Sequence, residues 1–221
     1  MKMRDQMIPF IVGVSLCLSV TTEMAYAQKD NNNSDALNAA IYNEISSRNS
    51  VTFNRVTEKG ELKYCTLSFS FAMRDYTARK GAVIVGDGSI NLSFTPGKSN
   101  GYLVKLVIRG IDPNDLSAKP VKVDYLDLII DKKPMKRFKI WEDEGDFQSK
   151  LVLLADKDFT ISKMLTESPL TKLSISFSLK GEKTDKEVFF DKLAPPQQLL
   201  SAQMVFLACT SDIIQKHLSV P

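Results

Sequence analysis

From Cys65 to Met73 every second side chain is apolar (Cys65, Leu67, Phe69, Phe71, Met73), and the residues between them are Thr66, Ser68, Ser70 and Ala72. Side chains alternate across a strand with a period of two, so this stretch predicts a β-strand with one buried and one wet face. The same period returns along most of the chain between Val51 and Asp191. It predicts strands at 51–57, 82–86, 89–95, 101–109, 120–131, 135–141, 149–155, 171–180 and 186–190. Val85-Gly86-Asp87-Gly88-Ser89 reads as a tight turn between two of these strands, and Thr95-Pro96-Gly97-Lys98 opens a longer loop. A parallel sheet would need helices between its strands, and only a turn near 158–165 has helical character. The expected fold is therefore mainly β: an antiparallel β-sandwich or curled-sheet domain with an N-terminal amphipathic helix and a long C-terminal helix packed on the sheet.

Both helices are legible from a change of period. Ser34 fits an N-cap, and Leu37, Ile41 and Ile45 recur every four residues behind it, which predicts an amphipathic helix to about Arg48. At the other end Pro195 and Pro196 suit a helix start, where a missing N–H costs least, and nothing from Gln197 to Leu218 breaks the helix. Leu199, Ala202, Phe206, Cys209 and Ile213 make one stripe of it. Leu200, Met204, Leu207, Ile214 and Leu218 make an adjoining one, an arc wide enough to predict deep packing.

Residues 1–27 read as an address. Lys2 and Arg4 give a basic start, Met7 to Val20 an apolar stretch, and Ala25-Tyr26-Ala27 the small-x-small pattern of a secretory cleavage site after Ala27. As a membrane span the apolar stretch is too short, covering roughly 21 Å of a hydrocarbon core about 30 Å thick. Residues 28–33, Gln-Lys-Asp-Asn-Asn-Asn, read as a disordered leader, and 34–221 as a single domain. No transmembrane segment is expected after cleavage, and the location implied is periplasmic or secreted.

Cys17 would leave with the signal, so Cys65 and Cys209 would be the two thiols carried into an oxidising compartment. Cys65 lies on the inward row of a strand and Cys209 on the inner stripe of the last helix. Two independent periodicities thus aim both at the core, and a disulfide between them is expected. Closing so long a loop stabilises a fold by up to roughly 5 kcal/mol in the chain-entropy picture.

The chemistry on offer is narrow. With one histidine, His217, and two cysteines expected to be oxidised, imidazole or thiolate metal sites and haem are excluded, and no cofactor is expected. His217 falls in the last turn of a helix, where an imidazole gains from the exposed carbonyls. There is no G-x-S-x-G elbow, Walker A loop or G-x-G-x-x-G. A net charge of +3 over 221 residues is too small for the electrostatic footprint of a nucleic-acid binder. Glu142, Asp143, Glu144 and Asp146 crowd around Gly145 and read as the solvated tip of a hairpin.

Ahead of that turn, Lys132, Lys133, Lys136, Arg137 and Lys139 concentrate positive charge in one short segment. Alternation places Arg137, Lys139 and Trp141 on one face, a cation–aromatic combination suited to an anionic partner or, more plainly, an edge strand guarded by charge. Leu67–Arg74 and Leu173–Lys180 also resemble each other, either as a duplication or as two strands in the same kind of environment. The combination of features resembles small envelope proteins of Gram-negative bacteria, with no motif to transfer. The reading is an exported β-rich binding or interaction protein without catalysis. Its partner is another envelope protein or an anionic envelope component. The alternatives are a carboxylate-dependent hydrolase using Asp143, Glu144, Asp156 or Asp158, and a carrier of an apolar ligand between the sheets.

Overall fold

The computed structural model describes residues 31–58, 61–76, 81–93, 101–135, 137–142, 150–155 and 160–218. The expected signal, its cleavage site at Ala27 and the Thr95–Lys98 loop lie outside them. Helix α1 (Asn31–Ser46) leads into strands β1 (Ser50–Glu58), β2 (Glu61–Asp75), β3 (Ala82–Ser93) and β4 (Gly101–Ile111). Strands β5 (Ala118–Val121), β6 (Val123–Ile130), β7 (Lys133–Pro134), β8 (Arg137–Glu142) and β9 (Lys150–Ala155) follow. The chain then forms α2 (Thr160–Glu167), β10 (Leu173–Leu179), β11 (Lys186–Phe189) and α3 (Pro196–Leu218). The described residues are mainly β, and every strand pairing is antiparallel.

A seven-stranded sheet runs β1-β2-β3-β4-β9-β8, with β5 also paired to β4, and a four-stranded sheet runs β11-β10-β6-β7. The segment 120–131, expected as one strand, breaks at Lys122. Val121 finishes β5 in the large sheet and Val123 starts β6 in the small one. The β6–β7 hairpin turns through Asp131 and Lys132, at φ 49° and 65°. Two central residues at positive φ make the primed turn that matches strand twist. Lys172 holds it, because the Asp131 N–H donates to the Lys172 carbonyl at 3.1 Å and the side chains pair at 3.4 Å.

The inward row of β2 faces one continuous core. Phe71 meets Phe177 of β10 with ring centroids 5.9 Å apart, and Phe69 meets Phe190 at 5.1 Å, so apolar residues of both sheets share it. Helix α3 closes the core over β1 and β2, where Phe206 contacts Phe53 and Tyr102. Its buried Gln203 donates to the carbonyls of Leu165 and Ser168 at 2.8 and 3.0 Å and accepts from the Leu170 N–H at 3.0 Å. Those bonds satisfy the amide and fasten the helix to α2 and the turn after it. Cys65 and Cys209 form the expected disulfide with Cα atoms 6.0 Å apart, and both residues are buried.

Four further expectations change. Val85–Ser89 is not a turn but the middle of β3, with Gly86 across from Phe71 and Gly88 across from Phe69. A Cβ on Gly86 would stand 2.2 Å from the Phe71 ring, and one on Gly88 2.1 Å from the Phe69 ring. These glycines leave room for cross-strand aromatics and make no bend. Helix α1 begins at Asn31, so Asn31–Asn33 belong to it and not to a leader, Ser34 lies inside its first turn, and it ends at Ser46; first-turn N–H groups need no intrahelical partner, so polar residues start a helix without penalty. The 158–165 turn proves to be helix α2. Finally, α3 is packed on one side only. Leu200 and Met204 are 58% and 61% exposed, because one layer of sheet covers a single face of a helix.

Two outcomes check this packing. Replacing both cysteines with alanine should cost about 2–5 kcal/mol in urea unfolding followed by circular dichroism. Gly88→Ala should cost about 1–3 kcal/mol through displacement of the Phe69 ring, whereas alanine at Gly181, whose Cβ would meet nothing within 4 Å, should show only the smaller strain of its positive φ.

Candidate functional site

The basic, tryptophan-bearing segment forms β8, the terminal strand of the large sheet. An edge strand offers unpaired backbone donors and acceptors to a partner, and charge commonly guards it. β8 pairs with β9 so that Trp141 lies across from Leu151, Ile140 from Val152 and Lys139 from Leu153. Residues directly opposite in an antiparallel pair share a face. Lys139 and Trp141 therefore occupy positions on the outer face of the sheet, about 7 Å apart along the strand. An irregularity follows between Arg137 and Lys139, and Arg137 pairs with the core residue Leu154, so its position leaves the row of Lys139 and Trp141 that strict alternation predicted. Across β9, Leu151 pairs with Lys105 and Leu153 with Leu103, which brings the half-buried Lys105 and Leu103 into the same outer surface.

Beyond β4 that surface is a hydrogen-bonded polar ladder. Asn54 donates to Ser68 at 3.3 Å, Thr66 donates to Asn91, and Asn91 donates to Ser89 at 3.1 Å. Ser70 donates to Asp87 at 3.0 Å, and Arg109 closes the ladder on the second Asp87 oxygen at 2.7 Å. Helix α1 covers the far end, where Asn49 accepts from the Ala72 N–H at 2.8 Å and Arg74 pairs with Asp35. The uncovered part of the face thus grades from hydrogen-bonded polar groups on β1–β3, the Asp87 carboxylate among them, to leucines and lysines on β4, β9 and β8.

A second feature is an open notch of about 590 Å³ beside β5, lined by Lys119, Lys122 and Lys180 together with Pro113 and Pro120. Its floor is the loop after β4. Asp112 accepts from the Asn114 N–H at 3.0 Å and from Lys119 at 2.9 Å, and those bonds, the backbone one foremost, hold its carboxyl below the ordinary aspartate range. The Ser117 hydroxyl and N–H do the same for Asp115, while Asp112 pushes the Lys119 ammonium up. Lysines spaced along 119–122 and returning at 180 gave no local pattern; only the pairing of the β10 end with Lys122, through the Lys180 N–H, brings them together.

A third is ionic and closed. Lys186 pairs with Asp75 at 3.4 Å and with Glu182, their side chains being 3%, 1% and 9% exposed. Asp75 occupies the last inward position of β2, and Lys186, the first residue of β11, pairs with the core residue Phe177 of β10. Sequence reasoning ended the inward row at Met73. Counting parity one step further would have exposed a carboxylate aimed at the core.

Of the other expected residues, Asp143, Glu144, Asp156 and Asp158 lie outside the described residues, and His217 falls in the last turn of α3. Among the described residues there is no group of three or more His, Cys, Asp or Glu placed to hold a metal ion, and no helix long and apolar enough to cross a membrane. No family model, no curated protein and no solved structure matches this chain.

The notch sets a pH expectation. A depressed carboxylate contributes stability that is present above its unfolded pKa and is lost as pH falls through the folded one; the raised Lys119 contributes below its unfolded pKa and loses this as pH rises through the folded one. In an NMR titration Asp112 should reach its midpoint below that of a free aspartate, and Asp112→Asn should return the Lys119 midpoint toward that of a free lysine.

Proposed function

We propose that this chain is an exported β-rich binding protein of the bacterial envelope, its sheets stacked as a sandwich, which recognises an anionic partner through the outer face around β8 and performs no catalysis. The observation that carries the reading is the edge position of β8. It sets Lys139 and Trp141 at the rim of a face whose β1–β3 part is hydrogen-bonded within itself. A cation beside an indole grips an anionic, partly apolar group better than either does alone. The partner is an anionic envelope component, or an acidic strip on another envelope protein.

Three further observations support this reading over its rivals. The buried Cys65–Cys209 disulfide suits an oxidising compartment, in keeping with residues 1–27 as an export signal cleaved after Ala27. The rings of Phe69, Phe71, Phe177 and Phe190 occupy the space where the two sheets meet, which leaves an apolar ligand little room there. The buried acids Asp75 and Glu182 are engaged with Lys186 and closed to solvent, unlike the converging open carboxylates of a hydrolase.

Trp141 is the only tryptophan, so its emission reports on the β8 segment alone. Titration with phosphatidylglycerol vesicles or with native envelope fragments should shift that emission, and neutral phosphatidylcholine vesicles should not. Lys139→Glu should weaken binding at least about tenfold by removing the attraction, with the melting temperature little changed. Unaltered binding by this variant would remove the reading.

A further inference from the structure

Lys186, Asp75 and Glu182 are a poor ion cluster and a good condensation site. Two charged residues stand at core-facing positions of strands whose other inward residues are apolar: Asp75 after Phe69, Phe71 and Met73, and Lys186 beside Val188. Burying ions there carries a desolvation cost that mutual attraction only partly offsets. Converting the ammonium and the carboxylate to an amide removes both charges, and the exclusion of water that makes the ion pair costly also protects the product. The three groups that the bond would need are already in contact. The Lys186 Nζ lies 3.4 Å from Asp75 Oδ2, at the edge of the carboxyl group whose carbon it would attack, and it contacts Glu182 Oε2 at the same time.

We infer that Lys186 and Asp75 join through an intramolecular isopeptide bond, with Glu182 as the catalytic residue that moves the proton. Glu182 carries a first proton from the Lys186 Nζ to one Asp75 oxygen, and the free amine attacks Cγ of the neutral carboxyl group. The N–C bond forms, Glu182 carries a second proton from the nitrogen to the same oxygen, and that C–O bond breaks. Of the three ammonium protons one stays on the amide nitrogen and two leave with one Asp75 oxygen as water. Atoms and charge balance without any oxidant or cofactor, and Glu182 ends as it began.

The placement gives the bond a mechanical meaning. Asp75 belongs to the large sheet and Lys186 to the small one, so the link ties the two sheets together covalently. On β2 it sits at one end of the inward row and Cys65 at the other, roughly 30 Å away at strand rise. The disulfide ties that strand to α3, and the amide ties it to β11. A sheet anchored at both ends in this manner resists proteolysis and force even when the disulfide is reduced.

Peptide mapping of the full chain, exported, purified, reduced and digested with trypsin, tests this. The expected result is a branched peptide that joins the Asp75 and Lys186 segments, is one water lighter than their sum, and is uncut at Lys186. Linear peptides cleaved after Lys186 would overturn the inference, and a branch from Lys186 to Glu182 would overturn the assignment to Asp75. Lys186→Arg should show no branch. Glu182→Gln, checked for folding by its circular dichroism and its intact disulfide, should form the branch at least tenfold more slowly, and an unchanged rate would remove Glu182 from the step.

Discussion

Everything else in the fold is referred to the inward row of β2. Six alternate residues, Cys65, Leu67, Phe69, Phe71, Met73 and Asp75, line one side of its backbone, while Thr66, Ser68 and Ser70 hydrogen-bond on the other. The row meets α3 through Cys65 and the small sheet through Phe71. Because side chains alternate strictly, a slip of one residue would send every phenylalanine into solvent and every serine into the core. That penalty makes the register of β2 against β1 and β3 effectively unique, and the remaining strands pair outward from it.

The aromatics of this row are accommodated from the neighbouring strand. Gly86 and Gly88 stand directly across from Phe71 and Phe69, and their missing side chains leave the space that the rings occupy. Glycine weakens a strand on entropic grounds, yet here the loss is offset by ring burial. The same trade between local preference and tertiary contact recurs at Asp131 and Lys132, which hold positive φ in the β6–β7 turn with Lys172 bonded to the first of them. It recurs again at β10, where Ser174, Ser176 and Ser178 are buried although they lie on the face away from the core. A central strand with Asp127, Tyr125 and Glu187 on its flanks is covered by its neighbours' longer side chains.

The two segments that resemble each other, Leu67–Arg74 and Leu173–Lys180, also share their surroundings. Both segments are strands flanked on each side, one in each sheet, and both send Leu, Phe and Met or Ile toward the same core while serine points away. The candidate interaction face has a different standing. Charge density and a lone tryptophan marked the β8 segment from its residues, but its end position in the sheet, and the approach of Lys105 and Leu151 to it, depend on pairings between strands distant in the chain. The lysine notch left no local trace, since it assembles groups from separate segments, and of the closed Lys186 cluster only the inward parity of Asp75 could be read locally.

From its residues alone this chain determined strand period, the terminal helix and the pairing of its two inward cysteines, because periodicity and polarity act over a few neighbouring positions. Which glycines are turns and which make room for rings, where a run of strand residues changes sheets at Lys122, and which charges end buried against one another were decided by the tertiary structure. Those outcomes depend on what stands opposite each residue. A one-dimensional pattern states which way a side chain points but not what it meets.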